Sequence, residues 1–226
     1  MGSKKGNDCV ADEIYEKLKK TIINMDIEPG HPLTENALAQ SLGVSRTPVR
    51  EALHMLERDQ LVERNHNKGY VVRGISEQDM QEIFEVRVVL ESWMAGKAAE
   101  IISEENLEVM EACLDRAESL YQQGLIEESD EISNEIHDII AFVVNNRWGS
   151  RTLDMLSTFT ISYKKLASKQ EGQIKRAFEE HRNILAALRG HDPELASQRM
   201  IEHIRNSQKA IQKACQNRTY SFQKYE

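Results

Sequence analysis

The chain has 226 residues, 40% of them hydrophobic and 6% aromatic, with 29 Lys+Arg against 37 Asp+Glu and a net charge of -8. This apolar content excludes a disordered chain and allows one large domain or two small ones. The acidic balance excludes bulk electrostatic attraction to nucleic acid or to an anionic membrane, so any such binding has to come from a local, well-aimed patch.

In chain order, apolar residues at Ile14, Leu18, Ile22 and Met25 recur near the helical period. They predict a first helix from Val10 to about Met25, stopped by the turn residues Glu28-Pro29-Gly30-His31-Pro32. Thr34 is placed to cap a second helix over Glu35 to Leu42 that Gly43 ends, and Ser45 to cap a third over Arg46 to about Arg58. Pro48 falls in the first turn of that third helix, where a missing N–H costs little. Leu61 to Arg64 and Tyr70 to Arg73 read as two short strands around Asn65-His66-Asn67-Lys68-Gly69, a hairpin whose glycine can take a positive φ. Three helices and a hairpin in residues 1–75 predict a winged helix-turn-helix head.

After Gly74 the strand signals stop. Six helices are predicted over Ser76 to Ile102, Ser103 to Gln123, Ile126 to Asn146, Ser150 to Ser168, Gln173 to Arg189 and Pro193 to about Gln216. The breaks fall at Gly124, Gly149, Gly172 and the Gly190-His191-Asp192-Pro193 turn. The expected fold is therefore mainly α: a winged helix-turn-helix head over 1–75 and an all-α helical bundle over 76–226. Residues 1–75 hold 11 Lys+Arg and 11 Asp+Glu, so the second part carries the whole net charge.

Cys9, Cys113 and Cys215 are widely spaced with no CxxC pair, which suggests neither a disulfide framework nor a thiolate metal site and fits a cytoplasmic location. No apolar run approaches the roughly 18 residues needed to span a bilayer, and the first residues lack the apolar core of a secretion signal.

On the third helix Val49, Ala52, Leu53 and Leu56 follow the i, i+3, i+4, i+7 spacing of a buried face. Arg46, Thr47, Arg50 and His54 are left outward. A helix of this width fits the DNA major groove, where arginine bonds bidentately to guanine and threonine touches a thymine methyl or a phosphate. The turn and the amino end of the second helix offer N–H groups to phosphates. Lys68 at the hairpin tip suits a minor-groove or backbone contact, with His66 and Asn67 beside it. Taken singly, the two arginines read equally well as a solvated helix face.

The segment LAQSLGVSRTPVREAL, residues 38–53, resembles the signature of GntR-family bacterial transcription regulators. Leu33-Thr34-Glu35 and the Gly69-Tyr70-Val71-Val72 wing continue the resemblance across the head. It implies operator contacts at Arg46, Thr47, Arg50 and the Lys68-Gly69 wing, so that the expected DNA-facing set is Glu35, Ser45, Arg46, Thr47, Arg50, His66, Lys68 and Gly69. Asn36 stands where the family often carries a phosphate-touching arginine.

EVRVVLESWMAGKAA, residues 85–99, resembles the start of the FCD effector domain of the FadR-like branch. Ile136-His137 followed by Asn146, EHRNIL at 180–185, and DPELA at 192–196 leading to His203 extend it. Six helices rather than seven place it nearer the vanillate-regulator type than the acyl-CoA-binding type.

His137, His181 and His203 each fall on an apolar helical face. Three converging imidazoles suit a divalent transition metal of the Zn, Ni or Mn class with an open position, whereas single buried histidines bond to backbone or side-chain groups. Their convergence rests on the resemblance. Metal-binding FCD domains usually carry an aspartate four residues before the first histidine, where this chain has Ser133; Asp130 or water is an alternative ligand. Arg87 and Asn146 match family positions near the effector cavity. Arg87 suits a bidentate carboxylate fork or an i,i+4 pair with Glu91, and Asn146 suits a cavity contact or a helix cap. Trp93 and Trp148 read as packing residues.

The resemblance implies a homodimeric regulator, expected to act as a repressor on operator DNA, with a small carboxylate effector and no membrane association. A metal-dependent enzyme with a DNA-targeting head is the alternative, although no nucleophile elbow, P-loop, Rossmann glycine pattern or HExxH is present. A ligand-free architectural protein is a third reading, disfavoured by the acidic second part.

Overall fold

The structure is a computed structural model, and it describes residues 3–24, 26–65, 69–74, 76–168, 170 and 172–216. His66, Asn67 and Lys68 of the predicted hairpin tip, and Met25 at the predicted end of the first helix, lie outside the described residues. The chain divides into two compact units between Ser76 and Glu77.

In the first unit, α1 (Ser3–Ile23) turns Ile14, Leu18 and Ile22 inward together with Tyr15, whose hydroxyl donates to the Asp59 carboxylate. It starts seven residues before the predicted Val10 and ends at Ile23. Next, β1 (Pro32–Leu33) leads into α2 (Glu35–Leu42). Thr34 caps α2 by accepting from the Ala37 N–H at 3.2 Å, and Gly43 ends it in the left-handed region at φ 67°.

The third helix, α3 (Arg46–Arg58), follows after a short turn. Ser45 sits at its N-cap with extended dihedrals, but its side chain makes no capping hydrogen bond, contrary to expectation. The donor such a cap often satisfies is the third helical N–H, and that residue is Pro48. Strands β2 (Val62–Asn65) and β3 (Gly69–Val72) pair antiparallel, and β1 adds on the other side of β3 to give the order β1-β3-β2. The edge strand β1 escapes sequence reading because two residues carry no alternation. Gly69 needs its missing side chain: φ is +79°, and a Cβ there would lie 3.2 Å from the Leu33 carbonyl oxygen.

Val49, Ala52, Leu53 and Leu56 of α3 are fully buried against Ile14, Leu18 and Ile22 of α1 and Val62, Tyr70 and Val72 of the sheet. Each of the valine, leucine and isoleucine side chains contributes about 1.5–3 kcal/mol by leaving water. That packing fixes the opposite face of α3 toward solvent.

Six helices make up the second unit among the described residues: α4 (Glu77–Ile101), α5 (Glu104–Gln122), α6 (Ile126–Val144), α7 (Arg147–Ser168), α8 (Gln173–Arg189) and α9 (Pro193–Gln216). Helix α4 lies along α9, and α5 packs on α6 and α8. Arg182 reaches Asp115 at 2.7 Å and Glu118 at 2.9 Å, and Arg189 reaches Glu111 at 3.0 Å, tying α8 to α5.

The predicted break at Gly149 is not one. Asn145, left-handed at φ 52°, ends α6, and Asn146 Oδ1 accepts from the Gly149 N–H at 3.0 Å to cap α7. Gly149 packs against α4, where a Cβ would meet the terminal methyl of Met94 and displace it. No helix among the described residues is long and apolar enough to cross a membrane.

Candidate functional site

On the head, Thr47 and Arg50 stand exposed on α3, beside the equally exposed Ser45 that precedes it. Arg46 is also exposed, and its Nη2 bonds Glu35 Oε2 at 3.1 Å, joining the amino ends of α2 and α3. His54, one turn beyond Arg50, turns toward the sheet: its Nδ1 lies 3.3 Å from the Tyr70 hydroxyl, which also accepts from Arg64. Gly69 opens β3 at the exposed end of the hairpin. Glu35, Ser45, Arg46, Thr47 and Arg50 therefore come from two helix starts and the turn between them, while His66 and Lys68 fall outside the described residues.

In the helical unit, α6, α8 and α9 bring His137, His181 and His203 together, with one ligand atom of each within 4.8 Å of the others. The ring centroids are 5.5 Å apart for His137 and His181, 5.1 Å for His137 and His203, and 4.5 Å for His181 and His203. Each Nδ1 has its own neighbour. Ser133 Oγ is 2.7 Å from that of His181, Glu180 Oε2 is 2.8 Å from that of His203, and Glu91 Oε2 is 2.7 Å from that of His137.

Fixing Nδ1 by an outer partner leaves Nε2 as the inward atom, the arrangement that orients histidine ligands around metals. His181 Nε2 and His203 Nε2 are 3.3 Å apart, as are two nitrogens on a tetrahedral ion at bond lengths of about 2.0–2.1 Å. Nδ1 of His137 meets Glu91 Oε2 at 2.7 Å, and its Nε2 has no hydrogen-bond partner. An unpartnered imidazole nitrogen at this point, within reach of His181 and His203, fits a divalent metal. Burial, followed by the other imidazoles, holds both His181 and His203 well below the ordinary histidine range, which keeps them in the neutral form a metal needs.

Ser133 occupies the position expected for an aspartate and, fully buried, supports His181 from outside the triad. Asp130 does not join the three histidines. A second protonation pattern also satisfies the distances: Ser133 donates to His181 Nδ1, His181 Nε2–H to His203 Nε2, and His203 Nδ1–H to Glu180. The two patterns differ only in which ring nitrogens carry protons.

Beside the histidines lies a cavity of about 260 Å³ lined by α4, α6 and α7. Arg87 is 2% exposed, with its Nε 2.8 Å from Glu91 Oε1. The pair with Glu91 foreseen for a solvated face is thus buried, and Arg87 lines the cavity as well. Its Nη1 has no hydrogen-bond partner. Burial opposes the charge on Glu91, but Arg87 and then His137 outweigh it and hold this carboxyl well below the usual range. Asn146 is not among the lining residues; it is the α7 cap.

Sequence reading missed Lys164, Asp138 and Asp154, which line the same cavity. Burial, then Arg87, pushes the Lys164 ammonium down to about 8. Lys164 was findable, because it continues the buried face of α7 through Leu156, Thr160 and Ala167. Asp138 and Asp154 are exposed and gave no such signal.

Residues 10–72 match the family model "Bacterial regulatory proteins, gntR family", and residues 82–206 match that of the FCD domain. The chain is 27% identical to the HTH-type transcriptional regulator YdhC of Bacillus subtilis, over 84% of this chain and 86% of that one. It is 22% identical to the HTH-type transcriptional repressor RspR of Escherichia coli, over 94% and 93%. The solved structure of E. coli McbR/YncC has the same fold, with a TM-score of 0.73 at 20% identity, covering 90% of this chain and 97% of that one. The winged head and the six-helix unit that follows it are the two parts these matches describe, and the chain belongs to the gntR family of bacterial transcription regulators that carry an FCD domain.

Proposed function

We propose that this regulator represses transcription as a homodimer and releases or tightens on its operator when a small carboxylate effector enters the cavity beside a three-histidine metal centre. One observation carries the reading: the orphaned Nη1 of Arg87 lines the same cavity as His137, whose Nε2 has no hydrogen-bond partner. A bidentate carboxylate completes an arginine fork, and a metal completes the imidazoles. Zn, Ni or Mn held by His137, His181 and His203 would supply a Lewis-acidic point for the same acid.

Operator contacts are assigned to Thr47 and Arg50, to Arg46 oriented by Glu35, and to backbone groups near Ser45 and Gly69, with His66 and Lys68 as wing contacts. Support for a dimer comes from exposed apolar side chains on two adjacent helices, Val86, Val89 and Trp93 of α4 and Trp148 and Met155 of α7. A two-fold dimer reads a palindrome, with half-sites about one helical turn apart, roughly 34 Å. The effector acts by its differential affinity for DNA-compatible and incompatible head spacings. The enzyme alternative has no support beyond the metal-ligand set.

Selection of binding sites from random-sequence duplexes tests this. The full chain is expected to enrich one palindromic sequence; enrichment of no sequence, or of a site without two-fold symmetry, contradicts the proposal.

A further inference from the structure

The charges lining the cavity suit a zwitterion better than a simple organic acid. Arg87 is paired with Glu91, and Lys165 lies 3.6 Å from Glu131. The remaining charged side chains of the lining, histidine apart, are one ammonium, Lys164, and three carboxylates, Asp130, Asp138 and Asp154. None of these four has an ion pair among the described residues. With a divalent metal on the histidines the lining is balanced, so a monoanion entering alone leaves one uncompensated negative charge, and the interior dielectric makes that costly.

Arg87 and the outer aspartates differ in depth. The unpartnered nitrogen of Arg87 belongs to a side chain only 2% exposed, and Lys164 is half-buried near it. Asp138 on α6 and Asp154 on α7 are both exposed, so they mark the solvent end of the cavity.

Resting on the reading of this cavity as the effector site, we infer that its ligand is a small amino acid whose carboxylate meets Arg87 and Lys164 and whose ammonium meets Asp138 and Asp154. The zwitterion adds no net charge. Its positive end goes where carboxylates are in excess, and its negative end goes to the two cations at the buried end. Asn134, Ser150 and Ser157 line the same space and are available to the remainder of the ligand.

The test compares matched pairs that differ only in ammonium against hydroxyl: serine and glycerate, glutamate and 2-hydroxyglutarate, 4-aminobutyrate and 4-hydroxybutyrate. Each is titrated calorimetrically into the full chain, into Arg87→Ala and into the double variant Asp138→Asn, Asp154→Asn, with circular dichroism to verify folding. At least one amino acid is expected to bind roughly tenfold tighter than its hydroxy partner, as two partly exposed ion pairs would give. The double variant loses that preference while remaining folded, and Arg87→Ala weakens both members of the pair. Equal or tighter binding of the hydroxy acid, or a preference that survives the double variant, overturns the amino-acid inference and leaves the acid-effector reading intact. Binding of neither class, or binding indifferent to Arg87→Ala, overturns both.

Discussion

Arg50 leaves α3 for solvent without an ion pair among the described residues, whereas Arg46 is held by Glu35 across the turn. An exposed pair of this kind is worth little to stability, and its effect is to orient Arg46. Arg50 is therefore the side chain most free to enter a groove. Arg50→Ala is expected to lower affinity for the selected operator by about 10- to 100-fold relative to scrambled DNA, read by gel shift at fixed salt. Retained discrimination would remove α3 from the recognition role. The buried histidines make a second residue-scale prediction. His181 and His203 are held below their ordinary range, so below about pH 6.5 the unfolded chain takes up protons that the folded chain does not. Stability of chelator-treated protein is fully present above that pH and falls as the pH drops through it. Urea unfolding at pH 7.5 and 5.5 measures this, and a midpoint independent of pH would show that these imidazoles are not buried.

At the scale of elements, Thr34→Ala removes the acceptor for the Ala37 N–H and is expected to cost about 1 kcal/mol. Gly69→Ala meets both a left-handed φ and the Leu33 carbonyl oxygen. It is expected to cost about 1–2 kcal/mol and to loosen the wing. Thermal unfolding of the two variants checks both, and an unchanged midpoint for Gly69→Ala would mean that the wing turn is not built as described. These elements were legible because their signals are local: Thr34 and Gly43 bracket α2, and the apolar spacing of Val49 to Leu56 sets the face of α3. What escaped was set by tertiary partners. Gly149 reads as a helix break until Met94 is seen against it, and β1 exists only because β3 offers an edge. Arg87 and Glu91 read as a surface pair because i,i+4 spacing carries no information about burial.

For the whole molecule, the histidines were legible as residues but their meeting was not, since α6, α8 and α9 are joined only by tertiary packing. Glu91, Ser133 and Glu180 gave no signal as partners of Nδ1 for the same reason. The exposed apolar faces of α4 and α7 lead to a prediction at this scale: Val89→Glu places a charge on a side chain that is 71% exposed and is expected to shift the chain toward monomer in sedimentation without unfolding it. An unchanged dimer would move the interface elsewhere. The proposed function depends most on the three imidazoles sharing one ion beside the cavity of Arg87. Elemental analysis of the full chain purified without chelator, alongside His181→Ala, tests that most directly. About one first-row transition metal per chain is expected, with its loss in the variant. A metal-free wild type, or metal retained in His181→Ala, would contradict the proposal and leave the Ser133–His181–His203–Glu180 hydrogen-bond chain as the resting form of the site.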